Sequence, residues 1–486
     1  VRLEMKYTST RDASVAVSAA QAVVDGISAD GGLYVPESIP KLDWRSLTDM
    51  AYAERADAVL RAYFDFDVTG VAQAAYATFE TDDPAPTVKL DDNLFVLELF
   101  HGRTHAFKDM ALSVLPRLVV AAKKALGVTE KTLILVATSG DTGKAALEGF
   151  KDVDGTQVCV FYPTDGVSAV QKLAMQTQDG GNVTVVGIDG NFDDAQTAVK
   201  AAFADAELNA ALKAKGVALS SANSINIGRL VPQIAYYFSA YCDLVDSGEV
   251  KPGAAIDFVV PTGNFGNILA GWYAREMGLP INRLVCATNR NSVLHDFIGT
   301  GIYDVNREFY KTTSPSMDIL VSSNLERLLF EVSDRNADAV KGFMQSLKTT
   351  GRYEVAPKDI ERIREVFSSG AADDDDVADA IGRMFDEYGY LIDPHTAAAY
   401  HTAELREFVR PTVILSTADP CKFAPAVTEA LGGRSGEASK KLLDELSELT
   451  AVSVPASLYE VFDKPIRFDG TIDKNGVTAF IEKNFG

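Results

Sequence analysis

The sequence predicts an α/β protein with mainly parallel sheets in two domains, preceded by a mostly helical N-terminal domain. Apolar runs of strand length, at 94–99, 133–137, 158–162, 183–188, 256–260, 284–287 and 413–415, alternate with segments of helical periodicity. Each run is almost continuously apolar, as a strand covered on both faces must be, and the intervening helices are the crossovers that parallel pairing needs. From Tyr7 to Thr87 the pattern differs: apolar positions fall three and four apart over 15–24, 44–63 and 68–79, which predicts helices.

That region ends at Thr81-Asp82-Asp83-Pro84-Ala85-Pro86, an acidic turn in which two prolines interrupt any helix. Domains are therefore expected at 1–88, 89–235 and 236–486. The last should have a helical C-terminal part that includes 325–330 and 360–367. The run Asp373-Asp374-Asp375-Asp376 lacks the alternating oxygen ligands and later glutamate of a calcium loop, so it reads as a solvated loop or a helix N-terminus.

Composition narrows the function. The chain has 486 residues, 46 of them Lys or Arg and 68 Asp or Glu, for a net charge of −22. Such a surface repels a phosphate backbone, so no nucleic-acid partner is expected. Hydrophobic residues at 47% and charged residues at 23% are ordinary for a folded protein and exclude disordered and fibrous classes. The cysteines Cys159, Cys242, Cys286 and Cys421 form no Cys-x-x-Cys, so neither a disulfide framework nor a zinc finger is expected, and a reducing cytoplasm fits. No signal peptide or membrane span is expected either, because no N-terminal apolar core and no uncharged apolar stretch of about 18 residues occurs. Val1 to Glu4 precede Met5, as an added leader or an upstream start would leave them.

Four places carry chemistry. The run 256–260 leads into Pro261-Thr262-Gly263-Asn264-Phe265-Gly266-Asn267 and a helix. The two glycines and the helix N-terminus suit a phosphate, although a plain tight turn uses the same residues. No Gly-Lys-Ser/Thr and no Gly-x-Gly-x-x-Gly follows, so any phosphate is bound without metal or lysine. The run 133–137 leads into Thr138-Ser139-Gly140-Asp141-Thr142-Gly143, a second anion cradle or an ordinary capped helix start. After 94–99 comes His101-Gly102-Arg103-Thr104-His105-Ala106-Phe107-Lys108-Asp109. A lysine behind an aromatic ring at a helix start is partly desolvated, which frees its amine for imine formation; most lysines are simply solvated. The two histidines lack a third ligand, so no metal is expected. The run 413–415 ends in Ser416-Thr417, hydroxyls able to donate to a heteroaromatic nitrogen or to close a turn.

An imine lysine, a metal-free phosphate cradle, a second anion cradle and a hydroxyl pair together describe a pyridoxal phosphate site. The chain resembles the threonine synthase family, in its larger form with an N-terminal helical domain, within the tryptophan-synthase-like group of pyridoxal phosphate enzymes. The resemblance runs through Asp30-Gly31-Gly32-Leu33-Tyr34, the Lys108 segment, 137–143 and Ser221-Ala222-Asn223-Ser224-Ile225-Asn226. It continues through 261–267, Ser314-Pro315-Ser316-Met317-Asp318-Ile319, Asp393-Pro394-His395-Thr396, and Ser416-Thr417-Ala418 with Lys422-Phe423.

The resemblance implies that Lys108 binds the cofactor, that Gly263, Asn264, Phe265, Gly266 and Asn267 cradle its phosphate, and that Thr417, with Ser416, faces its ring nitrogen. It further implies that Ser139, Asp141 and Thr142 meet the substrate's carboxylate or phosphate, with Asn223, Ser224, Asn226 and Arg229 as further polar wall. The implied reaction turns O-phospho-L-homoserine and water into L-threonine and phosphate, in a monomer or homodimer. A threonine or serine dehydratase of the same group is the alternative. Arg103 replaces the family's usual proline, Asp419 its histidine and Asn267 its frequent aspartate, and none of these removes a lysine, glycine or hydroxyl from the site.

Overall fold

The computed structural model describes residues 5–138, 140–164, 167–406, 408–434 and 436–485, without the side chains of 192 and 193. At the N-terminus β1 (Lys6–Ser9), β2 (Val17–Ser18) and β3 (Tyr34–Pro36) form an antiparallel sheet in the order β2-β1-β3. The region expected to be helical thus also holds a sheet. The expected helix over 15–24 begins as β2 and turns helical only at Ala19–Asp25, where Ser18 caps it by accepting the Gln21 N–H. Strands this short contain too few residues to show an alternation of period two. The expected helix over 44–63 divides into a 3-10 turn at Trp44–Leu47 and a helix at Tyr52–Tyr63, and that over 68–79 is helical only at Val71–Tyr76.

β4 (Thr87–Asp91) and β5 (Leu94–Glu98) pair as a hairpin. Next come β6 (Lys131–Ala137), β7 (Thr156–Pro163), β8 (Val183–Asp189) and β9 (Val217–Ser220), all parallel. β10 (Ile256–Pro261) and β11 (Ile281–Thr288) precede a small antiparallel pair, β12 (Ile302–Asp304) with β13 (Arg352–Glu354). β14 (Phe367–Ala371) and β15 (Thr412–Ser416) complete a six-stranded sheet of order β14-β11-β10-β15-β5-β4, parallel except at its β4 edge. β16 (Thr471–Asp473) joins the other sheet, of order β16-β8-β7-β6-β9.

All the apolar runs of the sequence are strands. Sheet membership nevertheless departs from a division at residue 235: β5 lies in the six-stranded sheet, and β16 returns to the sheet of β6 to β9. A division read along the chain cannot show pairings between strands hundreds of residues apart. The acidic run starts a helix, Asp374–Tyr388, with Asp373 as N-cap in a reciprocal capping box with Asp376. Among the described residues no helix is long and apolar enough to cross a membrane.

Two short segments set the distance between the sheets. The helix Asp109–Leu112 follows Lys108, and the helix Asp141–Phe150 follows β6. They touch at Gly149, where an added Cβ would lie 2.0 Å from the Leu112 carbonyl oxygen. That contact is backbone and cannot move aside, so Gly149→Ala should cost roughly 1–3 kcal/mol by overpacking. Equilibrium unfolding in urea checks this; a variant as stable as the parent would show that the helices tolerate a wider spacing.

Candidate active site

In parallel α/β sheets ligands sit beyond the carboxyl ends of the strands, and here β5, β15 and β10 are neighbours. Ser416 pairs with Glu98, which puts the ends of β5 and β15 level. The loop after β5 then runs back along the residues after β15. Phe107 N–H donates to Thr417 O at 2.8 Å, Asp419 N–H donates to His105 O at 3.1 Å, and Ala106 and Ala418 form a bridge. These bonds seat Lys108 beside Thr417.

Lys108 is buried, with Nζ donating to Ser316 Oγ at 2.9 Å and lying 3.6 Å from Asp141 Oδ2. Burial pushes its pKa down to about 8; Asp141 opposes this, while the Lys422 and Arg229 charges add to it. Asp141 belongs to the other sheet. Its Oδ1 lies 2.9 Å from Lys422 Nζ, and its Oδ2 accepts from Ser316 Oγ at 3.3 Å. Burial alone would raise the Asp141 pKa, but the Lys422 and Lys108 charges outweigh it and hold the carboxyl below its usual range. Lys422 also donates to Thr104 O at 2.7 Å. Thr142 is half-buried, and its hydroxyl makes no hydrogen bond among the described residues. Ser139 lies outside the described residues.

The turn after β10 is built for an anion. Phe265 has φ +65°, a left-handed conformation costly for a side chain of this size, and its ring is fixed against Phe367 at 5.6 Å. Gly263 cannot carry a side chain, since a Cβ would stand 2.8 Å from Ser316 O. The carbonyl oxygens of Gly263 and Asn264 accept from Ser322 Oγ at 2.7 Å and Asn324 N–H at 3.0 Å. Among the described residues the N–H groups of 263, 264 and 265 donate to nothing, and Gly266 opens the helix Gly266–Met277. Asn267 Oδ1 accepts from Tyr236 OH at 2.6 Å and Tyr237 OH at 3.2 Å, while its buried Nδ2 has no partner. Open N–H groups, a helix N-terminus and a leftover buried donor fit a phosphate held without a cation.

The two hydroxyls expected together after β15 separate. Ser416 Oγ is buried against Thr396 Oγ1 at 3.1 Å, whereas Thr417 Oγ1 makes no hydrogen bond among the described residues. Asp393 anchors this corner by capping the helix Pro394–Glu404 through the His395 and Thr396 N–H groups at 3.0 and 3.1 Å. It also receives the Thr396 hydroxyl and His395 Nδ1, the latter at 2.6 Å. His395 Nε2 accepts the Ser316 N–H at 3.1 Å, so the ring links Asp393 to the Ser316 backbone. Ser316, His395 and Lys422 are site residues that residue-type reasoning missed. The one local signal was Asp-Pro at the start of a helix, an N-cap with Pro at N1.

The expected polar wall is divided. Arg229 is buried, donates to Ala222 O at 2.9 Å, and has no ion-pair partner among the described residues; burial lowers its pKa to about 10. Asn223 is exposed, and Ser224 Oγ lies 3.4 Å from Ser323 Oγ. Asn226 departs from expectation: its Oδ1 caps the Gly228 N–H at 2.8 Å and its Nδ2 donates to Val23 O at 3.1 Å, so both ends serve the backbone. Of the departures from the family pattern, Arg103 lies 3.9 Å from Glu148, and Asp419 caps the Cys421 N–H at 2.8 Å.

Comparison with known proteins identifies the family. Residues 6–76 match the family described as threonine synthase N terminus, 83–417 the pyridoxal-phosphate dependent enzymes, and 396–481 the threonine synthase C-terminal family. Threonine synthase of Pseudomonas aeruginosa is 40% identical over 475 residues, 95% of each chain. The crystal structure of pyridoxal-phosphate-bound threonine synthase from Brucella melitensis superposes with a TM-score of 0.88 at 38% identity, covering 99% of this chain and 98% of that one. The yeast threonine synthase structure has the same TM-score of 0.88 at 32% identity, covering 99% and 98%.

The Lys108 amine should react with a small aldehyde under reducing conditions along a pH profile centred near 8, not near the usual lysine value. Asp141→Asn removes the charge that supports the ammonium, so the midpoint should move lower still. Mass-spectrometric mapping of the modified lysine across pH decides; a midpoint that rises in Asp141→Asn would contradict the arrangement.

Proposed function

The chain belongs to the threonine synthase family of pyridoxal-phosphate-dependent lyases, and from that premise we propose that its substrate is O-phospho-L-homoserine, converted with water to L-threonine and phosphate. The observation that carries this reading is Arg229. A buried guanidinium without an acidic partner is costly unless an anion completes it, and this substrate brings two anions, a carboxylate and a phosphate.

Lys108 Nζ would attach the cofactor, Gly263 to Asn267 would hold its phosphate, and Thr417 would serve its ring nitrogen. Ser416 supports that strand end through Thr396. When bound, pyridoxal phosphate supplies an electron sink for negative charge developing on the substrate's carbon atoms. The Lys108 amine, its pKa lowered by burial to about 8, would take a proton from Cα and one from Cβ as phosphate leaves Cγ, then return one to Cγ and, once water has added at Cβ, one to Cα. Ser316 Oγ orients that amine, and Asp141 fixes both Ser316 and Lys422. Asp141 repels substrate anions, so it acts on the lysines while Arg229 and Lys422 supply the positive charge. Thr142, Asn223 and Ser224 complete the polar wall. The four cysteines are free and buried, which fits a cytoplasmic enzyme.

Protein mixed with pyridoxal phosphate should show an absorbance band at roughly 410 nm and release threonine and phosphate in equal amounts from O-phospho-L-homoserine. Lys108→Ala should lose both and keep its circular dichroism. The band without phosphate release would point to a dehydratase, and full turnover by Lys108→Ala would sink the assignment. Arg229→Gln should retain the band and lose about 30-fold or more in kcat/KM, as one charge-assisted contact to an anion implies. Steady-state kinetics of that variant check whether the guanidinium meets the substrate.

A further inference from the structure

Asp30-Gly31-Gly32-Leu33-Tyr34 stands out in the sequence, yet none of these residues enters the site. Its use becomes apparent along the helix Leu325–Val332. We propose that Ser322, Asn324 and Arg327 are positioning residues that aim the N–H groups of the 263–265 turn, and that the N-terminal sheet acts on the turn through them. The proposal rests on the reading of that turn as the cofactor-phosphate cradle.

The geometry of the peptide unit supplies the first step. A trans peptide points its C=O and N–H in opposite directions, and no cis bond occurs among the described residues. Ser322 Oγ draws the Gly263 carbonyl one way at 2.7 Å, so the Asn264 N–H faces the other. Asn324 N–H draws the Asn264 carbonyl at 3.0 Å, so the Phe265 N–H is aimed in the same manner. The open donors of the cradle are therefore set by the segment behind it.

That segment is itself pinned by Arg327, which is fully buried and makes no ion pair among the described residues. Its guanidinium donates to Asn324 Oδ1 and Ile225 O, each at 2.6 Å, and to Tyr34 O at 3.0 Å. Asn324 Nδ2 reaches Ser224 O at 3.1 Å, so the loop that holds the polar wall is fastened to the same point. The residue before Arg327, Glu326, accepts from Thr10 Oγ1 at 2.5 Å and from Arg11 Nε and Nη2 at 2.8 and 2.7 Å. Thr10 in turn accepts the Leu33 N–H at 2.8 Å, and Asp30 accepts the Ser9 hydroxyl and the Gly32 N–H. The Asp-Gly-Gly turn thus shapes β1 and β3, and those strands grip the helix whose first turn shapes the cradle.

The test separates the phosphate from the rest of the cofactor. Dissociation constants of the full-length apoprotein are measured for pyridoxal phosphate and for pyridoxal. In Ser322→Ala and Arg327→Lys the constant for pyridoxal phosphate should rise about tenfold, the effect of a lost charge-assisted contact, while that for pyridoxal changes less than about twofold. Arg11→Met, remote from the site, should shift the ratio the same way by about threefold, because it loosens only the outer grip on Glu326. Should Arg327→Lys fail to fold, Ser322→Ala decides alone. Equal rises for both ligands, or an unchanged ratio, overturn the positioning role while the functional reading stands; an unchanged ratio in Arg11→Met alone overturns the part of the N-terminal sheet. A parent protein that binds no pyridoxal phosphate overturns both readings.

Discussion

One carboxylate, Asp141, holds two ammonium groups across the gap between the two sheets. It rides on the helix that follows β6, whereas Lys422 and the Lys108–Ser316 pair belong to the loops of the six-stranded sheet. Buried ion pairs add little net stability, because desolvation consumes most of what the charges gain. What they supply is direction: the charges must meet in one geometry or remain unpaired in a medium of low dielectric. The orientation of the buried Lys108 amine follows from that constraint, whereas its lowered proton affinity comes from burial, which Asp141 opposes.

Around it the protein uses helix starts as joints. Asp393 satisfies the first N–H groups of its helix and at the same time orients His395 toward Ser316 and Thr396 toward the end of β15. Gly266 and Asn324 begin two further helices beside the 263–265 turn. Groups that any helix must satisfy at its end are thereby placed where an anion or a neighbouring loop supplies the partner. Rigid backbone, and not long side chains, carries most of the positional information.

How much of this the sequence disclosed follows the range of each interaction. The inner strands of both large sheets are visible as apolar runs because burial on both faces leaves a mark in consecutive residues, whereas the edge strands β4, β9, β14 and β16 carry no such run and are not legible in the sequence. The turn at 261–267 is visible for the same reason, since it needs glycine where backbone passes close to backbone. Lys108 is indistinguishable by type from other lysines; its lowered pKa comes from burial among groups distant in the chain. Ser316, His395 and Lys422 leave almost no local mark, and Asn226, polar and near the site in sequence, is spent on backbone. The three-stranded N-terminal sheet was invisible because its strands are too short to carry a period.

The strand order has a consequence for synthesis. β6 to β9 are contiguous in the chain and can pair as they leave the ribosome, but β5 finds its parallel neighbour only when β15 has been made. At about 5–20 residues per second that wait is on the order of tens of seconds. Throughout it one edge of a strand apolar at four of its five positions stands open, protected on the other side by β4 alone, and an open apolar edge is a template for wrong pairing. A nascent chain of this topology therefore exposes, for that interval, a pairing edge at β5 that the finished fold covers with β15.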